Sequence, residues 1–110
     1  MQIFLYIDNP ELDENEAQVI SLLQTWVAAH APHAAFIHLP DSNTLGVQLQ
    51  INAAKQLHQP LADMYAIAKQ YHCEFVVGFI ENGQEEEVCF FGHEEGKPDT
   101  FEIGCYLGFE

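Results

Sequence analysis

The sequence predicts an α+β fold: a single mixed or largely antiparallel sheet of about five strands, in the order β-α-β-β-α-β-β-α, with helices packed on it. Three observations point there. Apolar residues recur with period two in some stretches and at spacings of three and four in others. β-hairpins interrupt the strand–helix alternation, most plainly at Asn82-Gly83, whose residues suit the two positive φ angles of a type I′ turn. No linker, repeat or low-complexity tract divides the 110 residues, so one globular domain over 1–110 is expected.

Gln2–Ile7 is a short, nearly continuous apolar run with aromatic and β-branched residues, which reads as a buried strand. Asp8-Asn9-Pro10 stops it, because Asx residues favour turns and proline lacks the amide donor. From about Glu14 to Ala31 the period changes. Ala17, Ile20, Leu23, Val27 and Ala28 mark one face of an amphipathic helix, with Val19, Leu22 and Trp26 beside them. Acids at 11, 13, 14 and 16 precede or open it, where the positive end of the helix dipole favours them, and Pro32 ends it.

Ala34–Leu39 is a second strand, closed by the turn residues Pro40 to Asn43. Leu45, Val47, Leu49 and Ile51 then alternate with Gly46, Gln48 and Gln50, the pattern of a half-exposed strand. Its polar side is uncharged, so it is placed at a sheet edge, where a homodimer could form by pairing with a second copy. Lys55–Gln59 is a connection with a short helical turn. Pro60 suits the first position of a helix running to about His72, with Leu61, Met64, Tyr65, Ala68 and Tyr71 on one face. Glu74–Glu81 and Glu87–Phe91 are the strands of the hairpin, and Gly92–Lys97 is a loop. Asp99-Thr-Phe-Glu102 fits a capping box for a short last helix, with Phe101, Cys105 and Tyr106 as its apolar side and Gly108 at its C-cap.

Charge is the more unusual property. Seventeen Asp and Glu stand against three Lys and no Arg, a net −14 with the six His neutral. At 48% hydrophobic the chain still has ample core material, so this acidity does not signal disorder. It excludes direct binding to nucleic-acid phosphates or an anionic membrane as the main activity, because too few cations exist to displace counterions. It also disfavours enzymes acting on phosphorylated substrates. The N-terminus lacks the basic region and apolar length of a signal peptide, and no stretch is long enough for a membrane span. Cys73, Cys89 and Cys105 are odd in number without a CxxC pair, which reads as reduced thiols in a cytoplasmic chain.

The acids are patterned. Five fall between Asp8 and Glu16 and eight between Glu81 and Glu102, whereas residues 17–40 contain no Asp, Glu, Lys or Arg. Such clusters are either solvated faces or a docking surface that steers a cationic partner. The candidate surface is Glu85, Glu86, Glu87, Glu94 and Glu95, with Asp13, Glu14 and Glu16 as the second choice. Among Phe90, Phe91, Phe101, Tyr106 and Phe109, most are assigned to the core and one or two to exposed anchors inside the acidic rim.

Catalytic patterns are missing. There is no Gly-x-Ser-x-Gly elbow, P-loop or dinucleotide turn, and the only serines are Ser21 and Ser42. His72 and Cys73 are adjacent, so their side chains diverge and do not form a thiolate–imidazole pair. Asp8, Glu11 and Asp13 lack the Gly and distal Glu of an EF-hand loop, and His93-Glu94-Glu95 is one cluster short of a zinc site. The expectation is therefore a non-enzymatic binding protein with no cofactor or metal that neutralises a basic protein, most concretely an immunity protein or inhibitor of a nuclease-type toxin. A DNA-mimic regulator of a nucleic-acid-binding protein shares the same electrostatics. An enzyme or metal-dependent accessory protein using an acidic cleft is the third alternative.

Overall fold

The computed structural model describes residues 1–10 and 12–109. Its elements are β1 (Gln2–Asp8), α1 (Glu16–His30), β2 (Ala34–Leu39), β3 (Thr44–Gln50), α2 (His58–Tyr71), β4 (Glu74–Glu81), β5 (Gln84–Gly92) and α3 (Thr100–Tyr106). Short 3₁₀ turns precede α1 and α2 and join β2 to β3. The strands form one sheet in the order β2-β3-β1-β4-β5, with every neighbouring pair antiparallel. The α+β class and the order of elements are as the sequence predicts.

All three helices contribute to the core on one face of the sheet. Val19 and Leu23 of α1, Leu61, Met64 and Ile67 of α2, and Ile103 beside α3's following Leu107 pack with Ile3, Leu5, Val47, Phe75, Val77 and Phe91. The face of α1 is rotated from the expected one: Ala17 and Ala28 are exposed, and Val19 and Leu23 are its buried residues. Trp26 explains part of the rotation. Its indole Nε1 donates to Asp63 Oδ2 of α2 at 2.8 Å, and its ring stacks on His30 at 4.0 Å, which fixes the side of α1 that meets its neighbour. Glu11, placed by sequence among the acids opening α1, lies outside the described residues.

Three further expectations are corrected. The Leu45–Ile51 strand is not an edge, because β3 is hydrogen-bonded to β2 on one side and β1 on the other. Period two reports which face of a strand is buried and carries no information about lateral neighbours. The edges are β2 and β5. α2 begins at His58, two residues ahead of Pro60, and Gln56 Oε1 accepts the N–H groups of Asn52 and Ala53 in the turn before it. On α3 the expected apolar side faces outward: Phe101 is 79% exposed, Tyr106 and Cys105 are exposed, and Ile103 and Gly104 are buried. Gly104 faces Ala54 and Leu57 in the turn before α2, and Ile103 beside it enters the core.

The tight-turn and capping signals hold. Asn82 and Gly83 have φ of 55° and 77°, Asp99 accepts the Glu102 N–H at 3.0 Å, and Gly108 has φ of 92°.

Candidate functional site

The face of the sheet opposite the helices holds a second, smaller apolar cluster of Phe4, Tyr6 and Val76, flanked by Ile37 and Ile80. Alternation along β1 explains it: Ile3, Leu5 and Ile7 point to the helices, so Phe4 and Tyr6 point away. With none of the described helices above them, the two rings lie against the sheet and stack on each other at 4.5 Å. Tyr6 is opposite Gly46 and Phe4 opposite Gly78 in the register. The absence of Cβ atoms at those glycines is what lets the rings lie flat.

A chain of hydrogen bonds crosses this face. Gln2 Nε2 donates to Gln48 Oε1, Gln48 Nε2 donates to the Tyr6 hydroxyl, and that hydroxyl donates to Glu85 Oε2, each at 2.8 Å. Burial pushes the Tyr6 phenol up to about 12; the Gln48 bond opposes the shift, and the bond to Glu85 and its charge add to it. Tyr6 is therefore a neutral donor at physiological pH that fixes the position of a carboxylate.

Glu85 reaches this face because of a β-bulge. Val77 pairs with Cys89 and Gly78 with Glu87, leaving Val88 as the extra residue. The bulge reverses the alternation along β5. Glu85 and Glu87 share the open face with Tyr6, whereas Glu86, opposite Phe79, is on the helix side. The run of three glutamates is thus divided between two faces, where the sequence treats it as one patch.

A cleft of about 390 Å³ opens at the end of the open face. Tyr6, Val76 and Ile7 form part of its lining, the loop Ser42–Thr44 a wall, and Asp8, Glu85 and Glu87 supply its charge. None of its lining residues is cationic. Asn9 and Asn43 hold the loops at its rim with φ of 53° and 55°. The wall is tied by the Ser42 and Thr44 hydroxyls, 3.3 Å apart. Across it, Asn43 and Thr44 also line a smaller depression that contains Glu16 and His38. Asp13 and Glu14 are exposed in the turn leading to Glu16.

Glu94 and Glu95 lie in the loop after β5 and line neither depression. Their backbone N–H groups donate to the two carboxylate oxygens of Glu74, at 2.7 and 3.0 Å, and Gly92 and Gly96 pair across the base of the loop. Among the expected site residues, then, the fold gathers Glu85 and Glu87, sets Glu16 on the far side of the Asn43–Thr44 wall, and separates Glu86. Asp8 and Tyr6 are members the sequence did not single out. Asp8 was legible as a turn residue and as one acid of the Asp8–Glu16 cluster, and Tyr6 only as part of a buried strand. Of the exposed aromatics, Phe90 is opposite Val76 and so flanks the open face, while Phe101 and Tyr106 belong to α3.

The site offers carboxylate and hydroxyl oxygens as acceptors, a composition suited to a cationic side chain, which has only donors. Cys73 is buried, and burial, with Glu74 nearby, pushes its thiol up to about 11, which opposes a nucleophilic role. The His72 and His93 rings stack at 4.3 Å beside it. Among the described residues, no group of three or more His, Cys, Asp or Glu side chains is placed to hold a metal ion, and no helix is long and apolar enough to cross a membrane. No protein-family model matches the chain, nor does any curated protein or solved structure compared with it.

Proposed function

We propose that this chain is a small binding protein that neutralises a basic protein partner, most concretely an immunity protein or inhibitor of a nuclease-type toxin. The observation that supports this best is the cleft in which Asp8, Glu85 and Glu87 stand together without a cation, on a face that none of the described helices covers. A lysine or arginine of the partner would enter it, and the carboxylates would occupy positions that substrate phosphates take in the partner's own site. Tyr6 holds Glu85 in place, so that carboxylate need not be ordered on binding. The net charge of −14 would steer the encounter.

The test begins with capture of the partner from the native host and its identification. Association kinetics of that pair are then measured at low and high salt. Reversing Glu85 and Glu87 to Lys together should slow association by about tenfold or more and flatten its salt dependence. Glu86→Lys, on the other side of the sheet, should have the smaller effect. Equal effects of the two changes, or none, would remove the cleft from the interface. A captured partner that binds nucleic acid without cleaving it would favour the DNA-mimic form of the same function.

A further inference from the structure

The two edges of the sheet are built differently. β5 carries Glu85, Glu86 and Glu87, is bulged at Val88, and is followed by a loop that folds back through the Gly92–Gly96 bridge. Each of these discourages another strand from adding to it. β2 has none of them. Its sequence, Ala-Ala-Phe-Ile-His-Leu, holds no charged residue, proline or glycine, and its register with β3 is unbroken from Ala34 to Leu39.

The direction of its free backbone groups follows from the ladder. Gln50 N–H donates to the His33 carbonyl at 2.8 Å, which makes positions 33 and 50 a hydrogen-bonded pair. Bonded and non-bonded pairs alternate in antiparallel strands, so Ala34, Phe36 and His38 turn their N–H and C=O groups away from β3. On the other side of β3, the Ile51 N–H bonds the Met1 carbonyl at 2.9 Å, as this parity requires.

We propose that β2 is a self-association edge, at which two copies of the chain pair β2 antiparallel to β2 across a two-fold axis at Phe36. In that register Ala34 of one copy faces His38 of the second, and Phe36 faces its own equivalent. All three outward positions then fall in bonded pairs, and the sheet continues from one copy into the other.

The charge pattern selects a second copy as the occupant. A net −14 opposes self-association over most of the surface, yet residues 17–40 contain no Asp, Glu, Lys or Arg. α1 packs beside β2, and its exposed residues after Glu16 are all uncharged, Leu22 among them at 39% exposure. Leu39, at the end of β2, is 54% exposed. The register opposes Leu39 of one copy to position 33 of the other, so the two Leu39 residues are offset by about 20 Å along the strands. Asp41 follows each in the 3₁₀ turn beyond, which keeps the two carboxylates more than the Debye length of about 8 Å apart. Glu16 shares a depression with His38 at one end of the edge, but from Ala34 to Ile37 a basic partner finds no counter-charge, and none of these residues lines the acidic cleft.

Sedimentation velocity of the whole chain, from micromolar to submillimolar concentration, tests the proposal. The expected result is a concentration-dependent rise towards twice the monomer mass that strengthens as NaCl screens the residual repulsion. His38→Pro removes one outward N–H while sparing the bonds to β3. Ala35→Glu, at an exposed position, sets two carboxylates diagonally across the axis. Each variant should weaken the dimer by at least about tenfold with the far-UV circular dichroism unchanged; if one of them misfolds, the other decides. A chain that stays monomeric at high salt overturns the proposal. So does a dimer that tolerates both changes, or one that salt dissociates.

Discussion

The same substitution, glycine to alanine, is expected to act in opposite directions at positions 78 and 104. Gly78 lies in β4 beneath the Phe4 ring, where the register with β5 shifts. A methyl group there would come within 2.5 and 2.7 Å of two Phe4 ring carbons, and closer still to the Glu86 carbonyl oxygen. Unstrained carbon contacts lie at about 3.5–4.0 Å. Phe4 is fully buried and the carbonyl belongs to a paired strand, so neither gives way without moving the sheet. Overpacking of this kind costs about 1–3 kcal/mol, and a backbone obstacle puts Gly78→Ala at the upper end. Relief of the glycine's conformational penalty returns about 0.5–1 kcal/mol. The net loss is about 2 kcal/mol, which lowers Tm by about 8 °C in a chain of this length. At Gly104 the added methyl would meet Ala54 Cβ at 3.5 Å and Leu57 Cδ1 at 3.7 Å, ordinary contact distances. Gly104→Ala should therefore stabilise by about 1 kcal/mol through helix propensity. Urea unfolding followed by fluorescence of Trp26, the single tryptophan, and by circular dichroism measures both with a common m-value. A neutral or stabilising Gly78→Ala, or a Gly104→Ala that destabilises, would refute the packing derived for the two faces.

Two further outcomes follow from the buried ionisable groups. Tyr6 is neutral in the fold with its phenol raised to about 12 from 10.0, so the stability that depends on its neutral form is complete below pH 10 and is lost as pH climbs towards 12. Tyr6→Phe should cost about 1–2 kcal/mol at neutral pH through the unpaired Gln48 and Glu85, and the gap between wild type and variant should narrow above pH 10; a gap constant to pH 11 in urea titrations would count against the Tyr6 site. Thiol labelling with a disulfide reagent under native conditions should modify exposed Cys105 first, Cys89 more slowly and Cys73 only on unfolding. Early labelling of Cys73 would contradict its burial.

Much of the fold was legible because its signals are local. The Gln2–Ile7 run, the Ala34–Leu39 segment, the Asn82-Gly83 turn and the Asp99 cap depend on neighbours a few residues away, and each appears where the sequence puts it. What escaped depends on distant partners. β3 looked half-exposed because Gly46 and Gln48 read as solvent-facing, whereas the Tyr6 ring lies over Gly46 and Gln48 bonds its hydroxyl. The buried face of α3 is the one on which Gly104 meets the turn before α2, a contact some fifty residues removed in sequence. For the candidate site, residue type was legible and direction was not. One unpaired residue, Val88, decides which of three consecutive glutamates share a face, and no spacing rule within β5 announces a bulge.

The clip formed by Glu74 bears on time as well as shape. Its carboxylate is occupied by the N–H groups of Glu94 and Glu95, and the Gly92–Gly96 pair closes the base of the same arch. Ordering a backbone residue costs about 1–2 kcal/mol, and for this arch that cost is met during folding. Two negative side chains consequently project from a loop whose backbone is tied at both its base and its tip. For a partner of the proposed kind, an arch ordered in advance would leave only side-chain rotation to complete a contact.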